Sequence, residues 1–335
     1  MNTKDEIVDA IEGQYKGDLP PPVLFTQTGT LGQMQHCGAS WPEAHYDVGK
    51  MVELALQPSE MFGFATARVP YDVSAEAEAV GCYVNTGTRI SQPTVTGSPW
   101  RKSMTFPSPS DLPSIDEFLS HERIRTIIES ADRISSKRED LFVTSMCISS
   151  AGIASHIMGM ENMIMFTITD PDSSIGLVDD IVPFSTAYAR ELSEVSDNVM
   201  VIASVLTGIM TPKFNGLTAK RDAKIVSAIK KSYSTVHNCG NTFENIEDLV
   251  AMSPDIMSLE TSARPKDYLR VIGKRCRMLG CINPVQVLLP GTPDSVKDDA
   301  LRSAELGFDL VGPECGVPPL TPNENLRALA DYRIL

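Results

Sequence analysis

Short apolar, β-rich runs recur along the chain and alternate with amphipathic helical stretches, and no other feature of the sequence restricts its fold so strongly. Such runs lie at residues 23–28, 62–69, 141–149, 198–206, 233–239, 255–260, 278–283 and 309–313. Helical patterns lie between them at 47–56, 115–134, 175–196, 222–231, 246–252, 265–275 and 293–306. Several open on good caps, Asn245 or Thr242 before one and Thr292-Pro293 before another, with proline at the first helical position. Regular strand-helix alternation predicts a parallel sheet with helices outside it. Eight repeats favour a closed (β/α)8 TIM barrel over an open doubly wound sheet.

The composition of the 335 residues shows no break, so one barrel domain over 1–335 is expected. Residues 85–114 fit no repeat, being rich in Thr, Ser, Pro and Gly. An insertion after the second strand of a barrel lands at the catalytic mouth, as part of a lid or as a surface excursion. The formal net charge of −14 argues against nucleic acid or anionic membranes as partners. The most apolar candidate span, 153–169, is interrupted by His156, Glu161 and Asn162, and the polar, acidic start of the chain has no secretory pattern. A cytoplasmic protein without a membrane span is expected.

Seven scattered cysteines in such a chain argue for thiols and metal ligands over a disulfide framework. Cys82, Cys147, Cys276 and Cys281 sit in or beside apolar runs and read as small buried hydrophobes. Cys37 follows His36, and neighbours on a strand face opposite ways, which disfavours chelation by that pair. His45 and His156 read as packed or solvent-facing, and the methionines between 157 and 165 as filling a core face.

The sharpest motif is Thr235-Val236-His237-Asn238-Cys239-Gly240 at a strand end. Residues two apart on a strand share a side, so the imidazole of His237 and the thiol of Cys239 can converge on one ion while Gly240 lets the chain turn away. In Val311-Gly312-Pro313-Glu314-Cys315-Gly316, Cys315 ends the last strand. All strands of a parallel barrel open on one face, so Cys315 can reach the same place. Two thiolates and an imidazole suit zinc and leave one tetrahedral position open; the bland alternative is a set of buried strand-end residues. Glu260 ends the strand between them, as a fourth ligand, a general base or a carboxylate bound to an amide or water. Asp72 follows the second strand, either facing the mouth or capping the helix that begins at 74–76.

These motifs occur together with Ala39-Ser40-Trp41-Pro42-Glu43-Ala44-His45, Val69-Pro70-Tyr71-Asp72-Val73-Ser74-Ala75-Glu76, Asn283-Pro284-Val285 and the stretch from Gly312 to Pro322. In that order they resemble the uroporphyrinogen decarboxylase superfamily, and within it the zinc-dependent methylcobamide:coenzyme M methyltransferases of methanogenic archaea. The decarboxylase branch carries an arginine-rich N-terminal motif, whereas residues 25–34 here contain no arginine. The resemblance therefore implies methyl transfer instead of porphyrinogen decarboxylation. It implies zinc on His237, Cys239 and Cys315, and similarity to cobalamin-independent methionine synthases adds Glu260 as fourth ligand. Asp72 is carried over as a cofactor-binding position.

The implied reaction moves a methyl group from a methyl-Co(III) corrinoid, held by a separate corrinoid-binding protein, to the thiol of coenzyme M, in methanogenesis from methylated compounds. An ordinary thiol is mostly protonated at neutral pH and only its thiolate attacks well, which is the reason for a zinc site. The sulfonate of coenzyme M needs a cationic or amide-rich pocket, for which Arg68 is a candidate near the mouth. Another thiol or tetrahydrofolate as acceptor, a decarboxylase-like lyase centred on Asp72, and a non-catalytic scaffold that docks a corrinoid protein are the competing expectations.

Overall fold

A computed structural model describes residues 2–203 and 210–334. Its strands are β1 (Thr66–Val69), β2 (Tyr83–Val84), β3 (Val95–Gly97), β4 (Phe142–Ile148), β5 (Asn198–Ile202), β6 (Tyr233–Asn238), β7 (Ile256–Leu259), β8 (Arg277–Ile282) and β9 (Leu310–Pro313). Seven of them form one parallel sheet in the order β1-β4-β5-β6-β7-β8-β9, which is chain order, with helices between successive strands. The segment at 21–24 fills the gap between the two ends. Val23 N–H donates to Val311 O (2.9 Å), Val311 N–H donates to Pro21 O (3.1 Å), and Leu24 N–H reaches Thr66 Oγ1 of β1 (3.3 Å). The result is a TIM barrel whose eighth stave is irregular.

That stave is the one place where an expected strand, 23–28, shrinks to a single bridge, at Pro22 opposite Val311. Proline at 20, 21 and 22 removes three backbone donors, so a regular ladder cannot form there. The other expected strands stand within a residue or two, except that the run 62–69 keeps only Thr66–Val69, its first residue closing helix Gln57–Phe62, and that the run 198–206 ends at Ile202, with residues 204–206 outside the described part. The strands of the sheet are buried almost throughout, which is why β4 reads Phe-Val-Thr-Ser-Met-Cys-Ile without strict alternation.

The helices follow their local signals. Helix Pro293–Leu306 opens on Thr292, whose side chain accepts from Ser295 N–H, and stops at Gly307 with φ of 97°. The pattern at 115–134 resolves into two helices, Ile115–Ser120 and Glu122–Lys137, because His121 turns extended and its ring accepts from Arg123 N–H. The pattern at 222–231 begins earlier, as helix Pro212–Ala228, capped by Thr211. His36 and Cys37 lie on a helix, Leu31–Cys37, not on a strand. None of the described helices is long and apolar enough to cross a membrane.

The two ends of the barrel differ. Helix Lys4–Glu12 closes the N-terminal end, where Tyr233 OH donates to Glu12 (2.8 Å) and Arg277 Nε donates to Ile11 O (2.9 Å). Phe25, Phe142 and Tyr233 stack above it, with ring centroids 5.2 and 6.2 Å apart. At the other end, β2, just before residues 85–114, pairs with β3 within them as an antiparallel ribbon, and long loops make up the rest. These rest on the helices that follow β4: Ser98 Oγ donates to Ile157 O, Asn162 Nδ2 donates to Arg101 O (3.0 Å), and Phe106 packs on Phe166 at 4.8 Å. Chemistry is left with the C-terminal mouth.

Candidate metal centre

His237 is the penultimate residue of β6 and Cys239 the first beyond it. Gly240 follows with φ of 76°, a left-handed turn that an L side chain rarely adopts, so the strand breaks off sharply at the thiol. Cys315 comes two residues after β9, and the backbone on both sides of it is pinned. Before it, the buried Glu314 carboxylate accepts from Thr261 N–H (2.8 Å), Ser262 N–H (2.8 Å), Ser262 Oγ (2.6 Å) and Asn283 Nδ2 (2.8 Å). After it, Val317 N–H donates to Gln27 O (2.9 Å). Glu314 thereby ties together the loops that follow β7, β8 and β9.

This scaffold brings His237, Cys239 and Cys315 together, with one ligand atom from each lying within 4.8 Å of the others. His237 Nε2 is 3.2 Å from Cys239 Sγ, and Cys239 Sγ is 3.1 Å from Cys315 Sγ. The other ring nitrogen, Nδ1, lies 2.9 Å from Ser258 Oγ, so the hydroxyl fixes the ring with Nε2 toward the sulfurs. His237 is buried and both thiols are half-buried, which leaves the sulfurs approachable from the mouth. Hydrogen bonding from Cys239 pulls the Cys315 thiol down to about 4 against the opposing effect of burial, with the His237 ring adding to the pull. A cluster that stabilises a thiolate and points an imidazole nitrogen at it has the donor chemistry of a zinc site.

Glu260 stands on the same rim as expected, the first residue beyond β7. Its carboxylate accepts from Gly240 N–H at 2.7 Å and is not part of the converging group of ligand atoms. Asp72 differs more from expectation. It is fully buried, and both oxygens are occupied: Oδ1 accepts from Ser74 N–H (2.9 Å) and Ser74 Oγ (2.6 Å), while Oδ2 faces His45 Nδ1 (2.9 Å) and Arg123 Nη2 (2.5 Å). Four partners fill the acceptor capacity of a carboxylate, so Asp72 offers no free oxygen to a cofactor. Nor does it cap the helix, which runs Ala75–Ala79 with Ser74 at its N-cap and no side-chain cap bond; Asp72 instead closes a turn onto Ser74. Burial raises its pKa, but Arg123 and His45 outweigh that and hold the carboxyl well below its ordinary range.

Reading the sequence missed three contributors. Ser258 was detectable in principle, since it pairs in register with His237 across β6 and β7 and shares its face. Arg123 lies on a helix 51 residues from Asp72 and gives no local sign of the pairing. His45, taken as packed or exposed, is packed, but as the partner of Asp72 in a 3-10 turn. His156 is a buried histidine whose pKa burial depresses to about 4.

The sequence profile of the family described as uroporphyrinogen decarboxylase (URO-D) matches residues 2–333. The methylcobamide:CoM methyltransferase MtaA of Methanosarcina barkeri is 31% identical over 336 residues, spanning 98% of this chain and 97% of the relative. The methylated-thiol:coenzyme M methyltransferase of Methanosarcina mazei is 29% identical, over 95% of this chain and 85% of the relative. Among solved structures, a methyltransferase from Methanosarcina mazei superposes with a TM-score of 0.91 at 30% identity, covering 99% of this chain and 98% of the other.

Proposed function

The chain belongs to the uroporphyrinogen decarboxylase (URO-D) family and groups there with the methylcobamide:CoM methyltransferases, and on that premise we propose that it is a zinc-dependent methyltransferase that moves a methyl group from a methylated corrinoid protein to the thiol of coenzyme M. One observation carries the reading. His237, Cys239 and Cys315, which come from two distant parts of the sequence, converge at the open end of the barrel.

Each residue then has a task. His237, Cys239 and Cys315 are the ligands, with Ser258 holding the ring of His237 in the ligating orientation. Zinc, when bound, supplies the Lewis acidity that keeps an incoming thiol as its thiolate at neutral pH. Two sulfur ligands leave the site with little net positive charge, which preserves the nucleophilicity of that thiolate. Glu314 keeps Cys315 in place by fixing three loops at once. Glu260 is the candidate for the remaining ligand position or for taking the thiol proton, once its oxygen leaves the Gly240 amide. Asp72 acts through its neighbours, shaping the start of the loop that follows β1.

The whole chain acts as one catalytic barrel, and residues 85–114 overhang the mouth, where the corrinoid partner must deliver its methyl group. The reaction belongs to methanogenesis from methylated compounds and takes place in the cytoplasm. The test is metal content of the wild-type protein beside Cys239→Ser and Cys315→Ser, with X-ray absorption counting sulfur neighbours with and without coenzyme M. The proposal expects about one zinc per wild-type chain and one more sulfur neighbour on adding the thiol. A wild-type protein that cannot be loaded with zinc would refute it.

A further inference from the structure

A buried arginine in the barrel has no counter-ion among the described residues. Arg68 lies on β1 opposite Thr144 of β4, and residues paired across parallel strands share a face. Thr144 Oγ1 accepts from Asn198 Nδ2 (3.3 Å), Asn198 Oδ1 accepts from Thr235 Oγ1 (2.9 Å), and Thr235 lies two residues before His237 on the same face of β6. This polar ladder crosses the barrel interior from Arg68 to the strand that carries the metal ligands. Arg68 therefore projects into the same interior as His237.

Its surroundings leave the charge unanswered. Arg68 is only 6% exposed, and among the described residues it makes no ion pair; Nη1 donates to Pro70 O and Nε is buried without a hydrogen-bond partner. Asp72, the carboxylate four residues away, is turned to Arg123 and His45. Burial lowers the Arg68 pKa to about 10, opposed by Tyr71 and Asp72, so the guanidinium stays charged at neutral pH. Its Nη1 bond to Pro70 O, beyond the end of β1, points the group toward the C-terminal mouth. A buried cation without a counter-charge is unfavourable, and a fold retains one where a ligand completes it. The metal centre does not supply the missing anion, because two thiolates and a neutral imidazole balance a divalent zinc.

We propose that Arg68 is the specificity residue for the acceptor, seating the negatively charged end of a short anionic thiol whose sulfur faces Cys239 and Cys315. The inference rests on the reading of the metal centre as a thiol site and adds to it the residue that holds the acceptor's anionic end. A guanidinium matches the paired oxygens of a sulfonate or carboxylate, and Nε is the donor still lacking an acceptor. Gln27, whose carboxamide lies against Gly316 beside Cys315, is positioned on the same rim to add an amide donor.

The test is calorimetric titration of the zinc-loaded protein with ethanesulfonate, which has the anion and no thiol, and with 2-mercaptoethanol, which has the thiol and no anion. Wild type should bind ethanesulfonate, and Arg68→Gln should weaken that binding roughly 10- to 100-fold with the affinity for 2-mercaptoethanol unchanged. Arg68→Lys should recover part of the loss. In turnover, Arg68→Gln should raise KM for 2-mercaptoethanesulfonate and leave its kcat little changed. An arginine that only props up Pro70 would move both thiols alike, which overturns the proposal. Wild-type protein that uses 2-mercaptoethanol as well as 2-mercaptoethanesulfonate also overturns it, without recourse to any variant, and leaves the methyltransferase reading standing. Arg68-dependent binding of ethanesulfonate by a protein that methylates no thiol sustains the anion seat and sinks the methyltransferase reading instead.

Discussion

Two polar clusters stand at the mouth of this barrel, and they are built on opposite principles. Around Asp72, every acceptor is satisfied: His45, Arg123 and Ser74 surround a carboxylate that has nothing left to bind with. Around Cys239, three donor atoms of metal-binding type face one another, with a thiolate held low and an imidazole nitrogen aimed inward. Both contain a histidine and an ionisable partner, and both lie in motifs that stand out in the sequence. The carboxylate separates them: Asp72 has no oxygen left for a ligand, whereas the second cluster keeps three ligand-type atoms facing one another.

The largest expected effect tests the second cluster. Cys239→Ser and Cys315→Ser should each lose zinc and slow methyl transfer by on the order of 1000-fold or more, since they remove a Lewis acid worth several kcal/mol. The thermal midpoint of the metal-free wild type should differ little from that of either variant. If the serine variants keep both zinc and rate, the two clusters are not different in kind.

The first cluster should respond in the opposite way. Asp72→Asn leaves Arg123 and its charge buried without a full partner, and should destabilise the fold by about 3–5 kcal/mol in urea unfolding while zinc content stays at the wild-type level. Replacing both partners, as Asp72→Asn with Arg123→Met, should cost less than the sum of the single changes. Loss of metal on Asp72→Asn in protein that remains folded would mean that the carboxylate belongs to the site after all.

The same distinction explains what could be read before the fold was known. Strand-helix alternation is a local property, so β4 and β6 to β9 are legible within a residue or two, and β5 at its start. The His237 and Cys239 pair follows from strand periodicity alone, and Cys315 from the rule that all strands open on one face. What escaped is non-local pairing. Nothing near Arg123 announces Asp72, and nothing in a lone serine at 258 announces a histidine on the next strand. The eighth stave escaped for a different reason: its apolar run is β-like, but three prolines ahead of it cannot donate the hydrogen bonds of a ladder.

Ser258→Ala probes the site more gently. It removes the partner of His237 Nδ1 and leaves the ligand atoms themselves intact, so zinc should weaken by about 10- to 100-fold with the ligand count by X-ray absorption unchanged. An unaltered zinc affinity would show that the ring needs no external orientation beyond its packing.

The smallest effect sets Asp72 against a carboxylate that shares its burial but not its arginine. Glu76 is buried nearby and accepts from Ile148 N–H at 2.8 Å; burial pushes its pKa up to about 7, with the amide and Arg123 only partly opposing. The two groups have opposite linkage. Asp72 titrates lower in the folded protein than in the unfolded chain, so its contribution is present above the unfolded value and is lost as pH falls through the folded one. Glu76 titrates higher when folded, so its contribution is present below about pH 4.5 and is lost as pH rises toward 7. Glu76→Gln keeps an oxygen for the Ile148 amide and removes the charge, and should stabilise the protein at pH 8 relative to pH 5 by on the order of 1 to 2 kcal/mol. Asp222, which burial also raises to about 7, titrates in the same window but equally in both proteins, so it cancels from the difference. Urea midpoints of wild type and variant at the two pH values give the comparison directly. An equal offset at both would mean that Glu76 stays ionised when buried, and that the lack of an arginine partner is not what divides it from Asp72.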